Sequence, residues 1–206
     1  MTICSTPMHR WKRRLVLGAA AVLAAGGMLL PSNGSAVAQQ NTCADLPQGG
    51  SPLSQVTPAG RTTILQLHNN ARSEVGVPPL AWSDSLADAA QGWANVLMAQ
   101  QNGPLFFCHE PFSRTSQGEN IAYDSTVRRG VTAWYNEKSQ YDSDPQKVII
   151  LNPPQGQNFR LWGHYSQMVW RGTTQIGCGK ATSTQYPVVL VCRYLPPGNI
   201  AGQVAY

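Results

Sequence analysis

The sequence lacks the short motifs that mark the commonest hydrolases and zinc proteins. It contains no G-x-S-x-G, the turn that presents the nucleophile of α/β-hydrolases, and no H-E-x-x-H, the helical zinc site of many metalloproteases. No two of its five cysteines have the C-x-x-C spacing of a structural zinc site. These absences favour binding over hydrolysis, with a hydrolase of a different arrangement as the alternative.

Residues 1–38 have the three-part order of a secretory signal. Basic residues without any acid precede Leu15, an apolar run of about 16 residues follows, and Ala36-Val37-Ala38 ends the segment. The run is shorter than the roughly 20 residues that span a bilayer, so a membrane anchor is the weaker interpretation. We therefore expect cleavage before Gln39 and a secreted, extracellular protein.

The basic charge of the chain belongs mainly to this segment. It holds four of the 15 Lys and Arg residues and none of the 10 Asp and Glu residues, so residues 39–206 carry a net charge of +1. This balance gives no electrostatic reason to bind nucleic acid or an anionic membrane. We expect a monomer with an N-terminal arm over residues 39–59 and one domain over residues 60–206.

Four cysteines remain after residue 38, namely Cys43, Cys108, Cys178 and Cys192. In an exported chain an even number of cysteines indicates disulfide bonds, and four cysteines allow three pairings. The sequence therefore predicts two disulfide bonds, and the residues alone leave their pairing open.

The spacing of apolar residues predicts helices before strands. Helices are expected over residues 59–76, over residues 83–103 and from Thr126 onward, and a shorter one over residues 161–170. Ser83 and Thr126 are the expected N-caps of the second and third helices.

Two strands are predicted near the end of the sequence, over residues 173–182 and 187–195. Residues 104–126 and 142–160 are expected to be loops, with a strand inside the first as the alternative. Because the strands are too few for βαβ alternation, the order indicates an α+β layered domain.

Two glutamates lie in apolar surroundings. In GENIA, Glu119 follows a glycine and comes two residues before the apolar pair Ile121-Ala122. Glu137 lies three residues after Trp134, on the same face of the third predicted helix. An acid on a buried face needs a partner, because burying an unpaired charge is costly. Two of the three histidines after residue 38 are the candidate partners around one pocket, and separate surface positions are the alternative.

Two long stretches resemble the signatures of the CAP superfamily, the cysteine-rich secretory, antigen-five and pathogenesis-related proteins. They are GHYSQMVW (163–170) and VLVCRYLPPGNI (189–200). HNNAR, WSDSLA, GENIA and WYNEK precede them in the family's order. The likeness covers roughly residues 60–206 and implies an α+β fold in three layers, an α-β-α sandwich with a central cleft.

The resemblance implies that two histidines and two glutamates line this cleft. By motif they are His164, Glu119, Glu137 and, as the histidine that precedes GENIA, His109. His109 and Glu119 are ten residues apart, a longer spacing than in the plant members. His68 resembles the first-helix histidine of the family, a packing position outside the site.

The resemblance also implies how the cysteines pair. Plant members join two cysteines on the closing strands, which correspond to Cys178 and Cys192, and this leaves Cys43 with Cys108. The second bridge would tie the N-terminal arm to the loop that carries His109. A cysteine directly beside that histidine departs from the usual family placement.

The resemblance further implies an extracellular binding or effector protein rather than an enzyme. Family members hold divalent ions at the cleft, bind sterols or fatty acids, or act in defence and at host or target-cell surfaces. His109 and His164 are therefore the predicted ligands of a weakly held divalent metal such as zinc. Imidazole binds metals only when deprotonated, so occupancy should fall below about pH 6.

Two alternative functions use the same stretches. A secreted hydrolase would combine Ser166 with His164 and a glutamate, but residues two apart on a helix face different sides, and we expect Ser166 to be a structural hydroxyl. Residues 196–206 resemble the plant segment that is released as a signalling peptide, with Ala205 where proline is usual.

Overall fold

The computed structural model describes residues 43–149 and 159–206, and the predicted signal over residues 1–38 lies outside this part. The helices of the described part are α1 (Pro58–Glu74), α2 (Asp84–Ala99), α3 (Phe112–Thr115), α4 (Val127–Asn136), α5 (Lys138–Ser143) and α6 (Phe159–Met168). The strands there are β1 (Ala81–Trp82), β2 (Gly118–Asp124), β3 (Gln175–Ala181) and β4 (Val188–Leu195). Short 3-10 turns cover Cys43–Asp45 and Pro104–Phe107.

The strands form one sheet in the order β1-β3-β4-β2. β4 pairs antiparallel with both β3 and β2, and β1 runs parallel to β3. Along β4, Leu190, Cys192 and Tyr194 pack with α1, α4 and α6, whereas Val189 and Val191 pack with α2. Helices therefore cover both faces of the sheet, and the predicted α+β fold, a three-layer α-β-α sandwich, is confirmed.

Helix α2 covers one face of the sheet at close range. Its predicted cap is present, since the Ser83 side chain accepts a hydrogen bond from the Leu86 amide at 3.4 Å. A Cβ on Gly177 of β3 would lie 2.2 Å from the Ala87 amide nitrogen, so only glycine allows this approach. The buried side of the helix carries Ala90, Trp93 and Leu97.

The helices on the opposite face are held together partly by a buried arginine. Arg72 of α1 donates to the carbonyls of Met168, Trp170 and Thr173 at 3.1, 2.9 and 2.9 Å, and its Nε donates to Pro78. Burial lowers the pKa of Arg72 to about 10, and the group remains a cation at neutral pH. It therefore fixes the end of α6 against α1.

The segment 104–126, expected to be a loop, contains β2, so the strand alternative is the right one. β2 pairs with β4 from Gly118 to Asp124. Its apolar residues Ile121, Ala122 and Tyr123 are consecutive rather than alternating, which removes the period-2 signal of a strand. Glu119 consequently lies in a strand at the edge of the sheet, with a backbone fixed by its pairing.

Two helix ends also differ from the predictions. α2 ends at Ala99, four residues before the expected stop at Gly103. α4 ends at Asn136, and Glu137 is the junction residue before α5 rather than part of a continuous helix face. The junction turns the Glu137 side chain toward α6.

His68 is fully buried between α1 and the sheet. Its Nδ1 lies 2.8 Å from the Ile64 carbonyl and its Nε2 lies 2.9 Å from the Tyr194 hydroxyl. A carbonyl only accepts, so Nδ1 carries the proton and Nε2 accepts from Tyr194. Burial lowers the pKa of His68 to about 4, and the neutral ring is therefore the folded form.

We expect acid to destabilise the protein through His68. The pKa is lowered from 6.5 to about 4 on folding, so the unfolded chain binds the proton first as the pH falls. The free energy of unfolding should then decrease between about pH 6.5 and pH 4, by about 3 kcal/mol in all. Denaturant unfolding of the wild type and of His68→Gln at each of these two pH values measures the loss. Glutamine is chosen because it keeps one donor and one acceptor but does not titrate. An equal loss in the two proteins would contradict the assignment.

Candidate functional site

The first histidine–glutamate pair joins α6 to the junction between α4 and α5. Oε1 of Glu137 lies 2.6 Å from Nδ1 of His164. Oε2 of the same carboxylate accepts from the backbone amides of His164 and Tyr165 at 2.9 and 3.1 Å. A carboxylate only accepts, so Nδ1 of His164 carries a proton and the neutral ring has its lone pair on Nε2.

Trp134 fixes this pair from the side of α4. Its indole Nε1 donates to the Ile121 carbonyl of β2 at 3.1 Å. Its ring stacks on the His164 imidazole with centroids 6.1 Å apart. The tryptophan thus ties α4, β2 and the His164 ring into one packed unit.

The second pair joins the loop after the 3-10 turn to the start of β2. Nδ1 of His109 lies 2.6 Å from Oε1 of Glu119, which also accepts from the Glu110 amide at 3.2 Å. The His109 side chain is 58% exposed and that of Glu119 is 6% exposed. As in the first pair, the carboxylate only accepts, so Nδ1 of His109 carries a proton and the neutral ring has its lone pair on Nε2.

Sequence reasoning missed two charged residues behind Glu119. The guanidinium of Arg193 in β4 contacts Oε2 of Glu119 at 3.0 Å and also pairs with the carboxylate of Glu110. The signal was present, because Arg193 is the one charged residue in the otherwise apolar and aromatic strand Val188–Leu195. A charge on a buried strand requires a partner of opposite charge.

β2 connects the two pairs. Glu119 contacts His109, and the next residue, Asn120, donates from its amide to the His164 carbonyl at 3.0 Å. Both contacts come from neighbouring residues of the edge strand, so β2 links the two pairs. Among the described residues, no group of three or more His, Cys, Asp or Glu side chains is arranged to hold a metal ion.

The structure contains both disulfide bonds in the pairing that the resemblance implied. Cys178 and Cys192 are directly opposite on β3 and β4, with Cα atoms 4.1 Å apart. Cys43 is bonded to Cys108, with Cα atoms 5.5 Å apart, and so ties the arm to the residue before His109. The Cys108 carbonyl also accepts from the Trp93 indole at 3.1 Å, which anchors this loop to α2.

Ser166 is buried and hydrogen bonded within its own neighbourhood. Its hydroxyl oxygen lies 3.0 Å from the Gly163 carbonyl and 2.6 Å from Oδ1 of Asn199. The Asn199 amide donates to the same carbonyl at 2.8 Å, so the hydroxyl proton serves a structural network.

The segment 196–206 is attached to the rest of the domain. The Ala205 carbonyl accepts from the Arg171 amide at 2.8 Å, and the Gly202 amide donates to the Ile149 carbonyl at 2.9 Å. Ala205 itself is buried. Throughout residues 43–149 and 159–206, no helix has the length and apolar character needed to cross a membrane.

Sequence comparison identifies a family and several relatives. The model of the cysteine-rich secretory protein family (CAP) matches residues 65–194. Pathogenesis-related protein 1C of Nicotiana tabacum is 36% identical over 146 residues, which are 69% of this chain and 78% of the relative. Pathogenesis-related protein 1 of Arabidopsis thaliana is 37% identical over 142 residues, which are 68% of this chain and 78% of the relative.

Structural comparison supports the same fold. The crystal structure of NaASP2 with Zn²⁺ has a TM-score of 0.61 at 24% identity, and the aligned part is 76% of this chain and 90% of the NaASP2 chain. The structure of BmVAL-1 has a TM-score of 0.58 at 25% identity, and the aligned part is 76% of this chain and 85% of the BmVAL-1 chain.

Replacing Glu137 with glutamine should destabilise the fold. The carboxylate accepts three hydrogen bonds from α6, and the substituted amide can accept only through its single oxygen. We expect Glu137→Gln to lower the free energy of unfolding by about 2 kcal/mol. Glu74→Gln is the matched control and should change stability by less than about 0.5 kcal/mol, since within residues 43–149 and 159–206 Glu74 accepts only from the exposed Tyr135 hydroxyl. Equal effects in denaturant unfolding would refute this role of Glu137.

Proposed function

Because the chain belongs to the cysteine-rich secretory protein family, we propose that it is an exported, non-catalytic binding protein whose two histidines hold a divalent cation weakly. The two disulfide bonds support export, since such bonds form and persist in oxidising compartments. The observation that carries the proposal is the pairing of each histidine with its own glutamate through Nδ1.

This pairing prepares an imidazole for metal binding. A glutamate on Nδ1 fixes the tautomer, orients the ring and increases the basicity of Nε2, as the outer carboxylates of many metal sites do. His109 and His164 share this arrangement although they lie in different elements of the fold. Their Nε2 atoms are the proposed ligands.

The donor set supports weak rather than structural binding. The described residues offer no cluster of three or more ligand side chains, so water must complete the coordination shell. Zinc is the candidate ion because it accepts imidazole nitrogen and tolerates water. A bound ion would supply a positive charge in an otherwise nearly neutral domain.

The surroundings of Ser166 favour a binding role over hydrolysis. A nucleophilic serine needs a base within hydrogen-bond reach, whereas the Ser166 hydroxyl is engaged by Gly163 and Asn199. The Glu137 contact to Nδ1 leaves Nε2 of His164 free, so the argument against hydrolysis is the engagement of the serine and not the state of the histidine. We therefore infer that Ser166 does not act as a nucleophile.

Zinc titration by calorimetry tests the proposal. Wild-type protein at pH 7.5 should bind with a dissociation constant in a range of about 10 µM to 1 mM, a range typical of a site with few protein ligands. His109→Ala or His164→Ala should weaken binding about tenfold or more, and the double variant should give no heat. At pH 5 the wild type should also lose its heat, because protonated imidazole does not bind metal.

The surface variant Glu74→Gln serves as the control and should bind like the wild type. Retention of the full heat by the double histidine variant would place any zinc elsewhere and overturn the proposal. To test the hydrolase alternative, a peptide library is incubated with the wild type and with Ser166→Ala, and cleavage is measured. Cleavage that depends on Ser166 would refute the non-catalytic assignment.

A further inference from the structure

A buried arginine lies directly behind the His109–Glu119 pair. We propose that Arg193 is a positioning residue that holds the Glu119 carboxylate against His109 and thereby directs the ring of this histidine. The proposal rests on the proposed function in one respect, because His109 is one of the two metal ligands proposed above. The structural role of Arg193 is testable without any metal.

The sheet places Arg193 beside Glu119. The two residues are direct partners in the antiparallel pairing of β4 with β2, so their side chains project from the same face. The Arg193 side chain is 1% exposed, and its Nη2 contacts both Oε2 of Glu119 and the carboxylate of Glu110. One guanidinium nitrogen therefore joins two carboxylates from different segments.

The two oxygens of Glu119 have separate partners. Oε1 is held by Nδ1 of His109 and by the Glu110 amide, whereas Oε2 faces Arg193. Rotation of the carboxylate would break contacts at both ends. The arginine thus sets the orientation in which Glu119 meets the imidazole.

Charge makes this arrangement depend on Arg193. The side chains of Glu110 and Glu119 are 9% and 6% exposed, so two nearly buried carboxylates share one buried cation. Without the cation, two like charges would remain close together in a poorly solvated place, which is unfavourable. Movement of the Glu119 carboxylate toward water would relieve this repulsion and would break its contact with His109.

A second buried arginine shows that burial alone does not explain Arg193. The guanidinium of Arg72 donates its hydrogen bonds to backbone carbonyls, so this residue has a structural role. Within the described residues, Nε and Nη1 of Arg193 have no hydrogen-bond partner. Its Nη2 donates to Glu110 and forms an ion pair with Oε2 of Glu119. The two arginines are equally buried, so Arg72 provides a matched control.

The experiment measures exchange of the Nδ1 protons of both site histidines with water, by NMR of ¹⁵N-labelled, metal-free protein at pH 8. In Arg193→Gln we expect exchange at His109 to be faster by about tenfold or more, which corresponds to loss of one charge-assisted hydrogen bond. Exchange at His164 should not change, since its glutamate is held by α6. Arg72→Lys should destabilise the fold and leave the His109 exchange rate as in the wild type.

Two further variants keep the test decisive. Arg193→Gln/Glu110→Gln removes one of the two carboxylates and should restore slow exchange at His109, at least in part. Arg193→Lys keeps the charge on a shorter side chain and should give an intermediate exchange rate. This variant tests the proposal if Arg193→Gln does not fold. Wild-type exchange at His109 in a folded Arg193 variant, equal acceleration at His164, or no recovery in the double variant would each overturn the proposal. Because zinc is absent, these results are independent of whether zinc binds to the wild type.

Discussion

The pairing of β2 with β4 is the constraint on which both histidine–glutamate pairs depend. It sets Glu119 opposite Arg193 and Asn120 opposite Cys192. A shift of one residue would exchange the faces of Glu119 and Asn120, separating the acid from its cation and the amide from the His164 carbonyl. The Cys178–Cys192 bond fixes the register of β4 against β3, so β2 pairs with a strand whose own position is set. The sheet therefore fixes the His109–Glu119 pair directly, and it reaches the His164–Glu137 pair through the Asn120 contact to α6.

A directional chain of hydrogen bonds continues from β2 into the helical layer. Nε2 of His68 accepts a hydrogen bond from the Tyr194 hydroxyl, whose oxygen in turn accepts from the Asn120 amide at 3.2 Å. The same amide also donates to the His164 carbonyl. Each donor in this buried chain has one possible acceptor, because the Ile64 carbonyl fixes the tautomer of His68. A fully satisfied buried network favours one arrangement of its members. His68 thus lies outside the site and still supports it.

The sequence predicted those features whose signals are local. The Ser83 and Thr126 caps, the two closing strands and the first helix follow from spacing and capping chemistry. β2 and the position of Glu137 could not be predicted in this way, since strand pairing and a helix junction depend on distant partners. Arg193 carried a local signal, a charge on an apolar strand, but its partners come from a loop and from another strand. The family resemblance supplied the site residues that periodicity alone left open.

The two pairs differ in how firmly the fold holds them, and this difference bears on ligand binding. Glu137 is fixed by two backbone amides of α6, so His164 belongs to a rigid element. His109 lies on an exposed loop whose supports are the Cys43–Cys108 bond, the Trp93 indole and the Glu119–Arg193 contact. A ligand held by both histidines would therefore depend on α6 for the position of one imidazole and on these three supports for the position of the other.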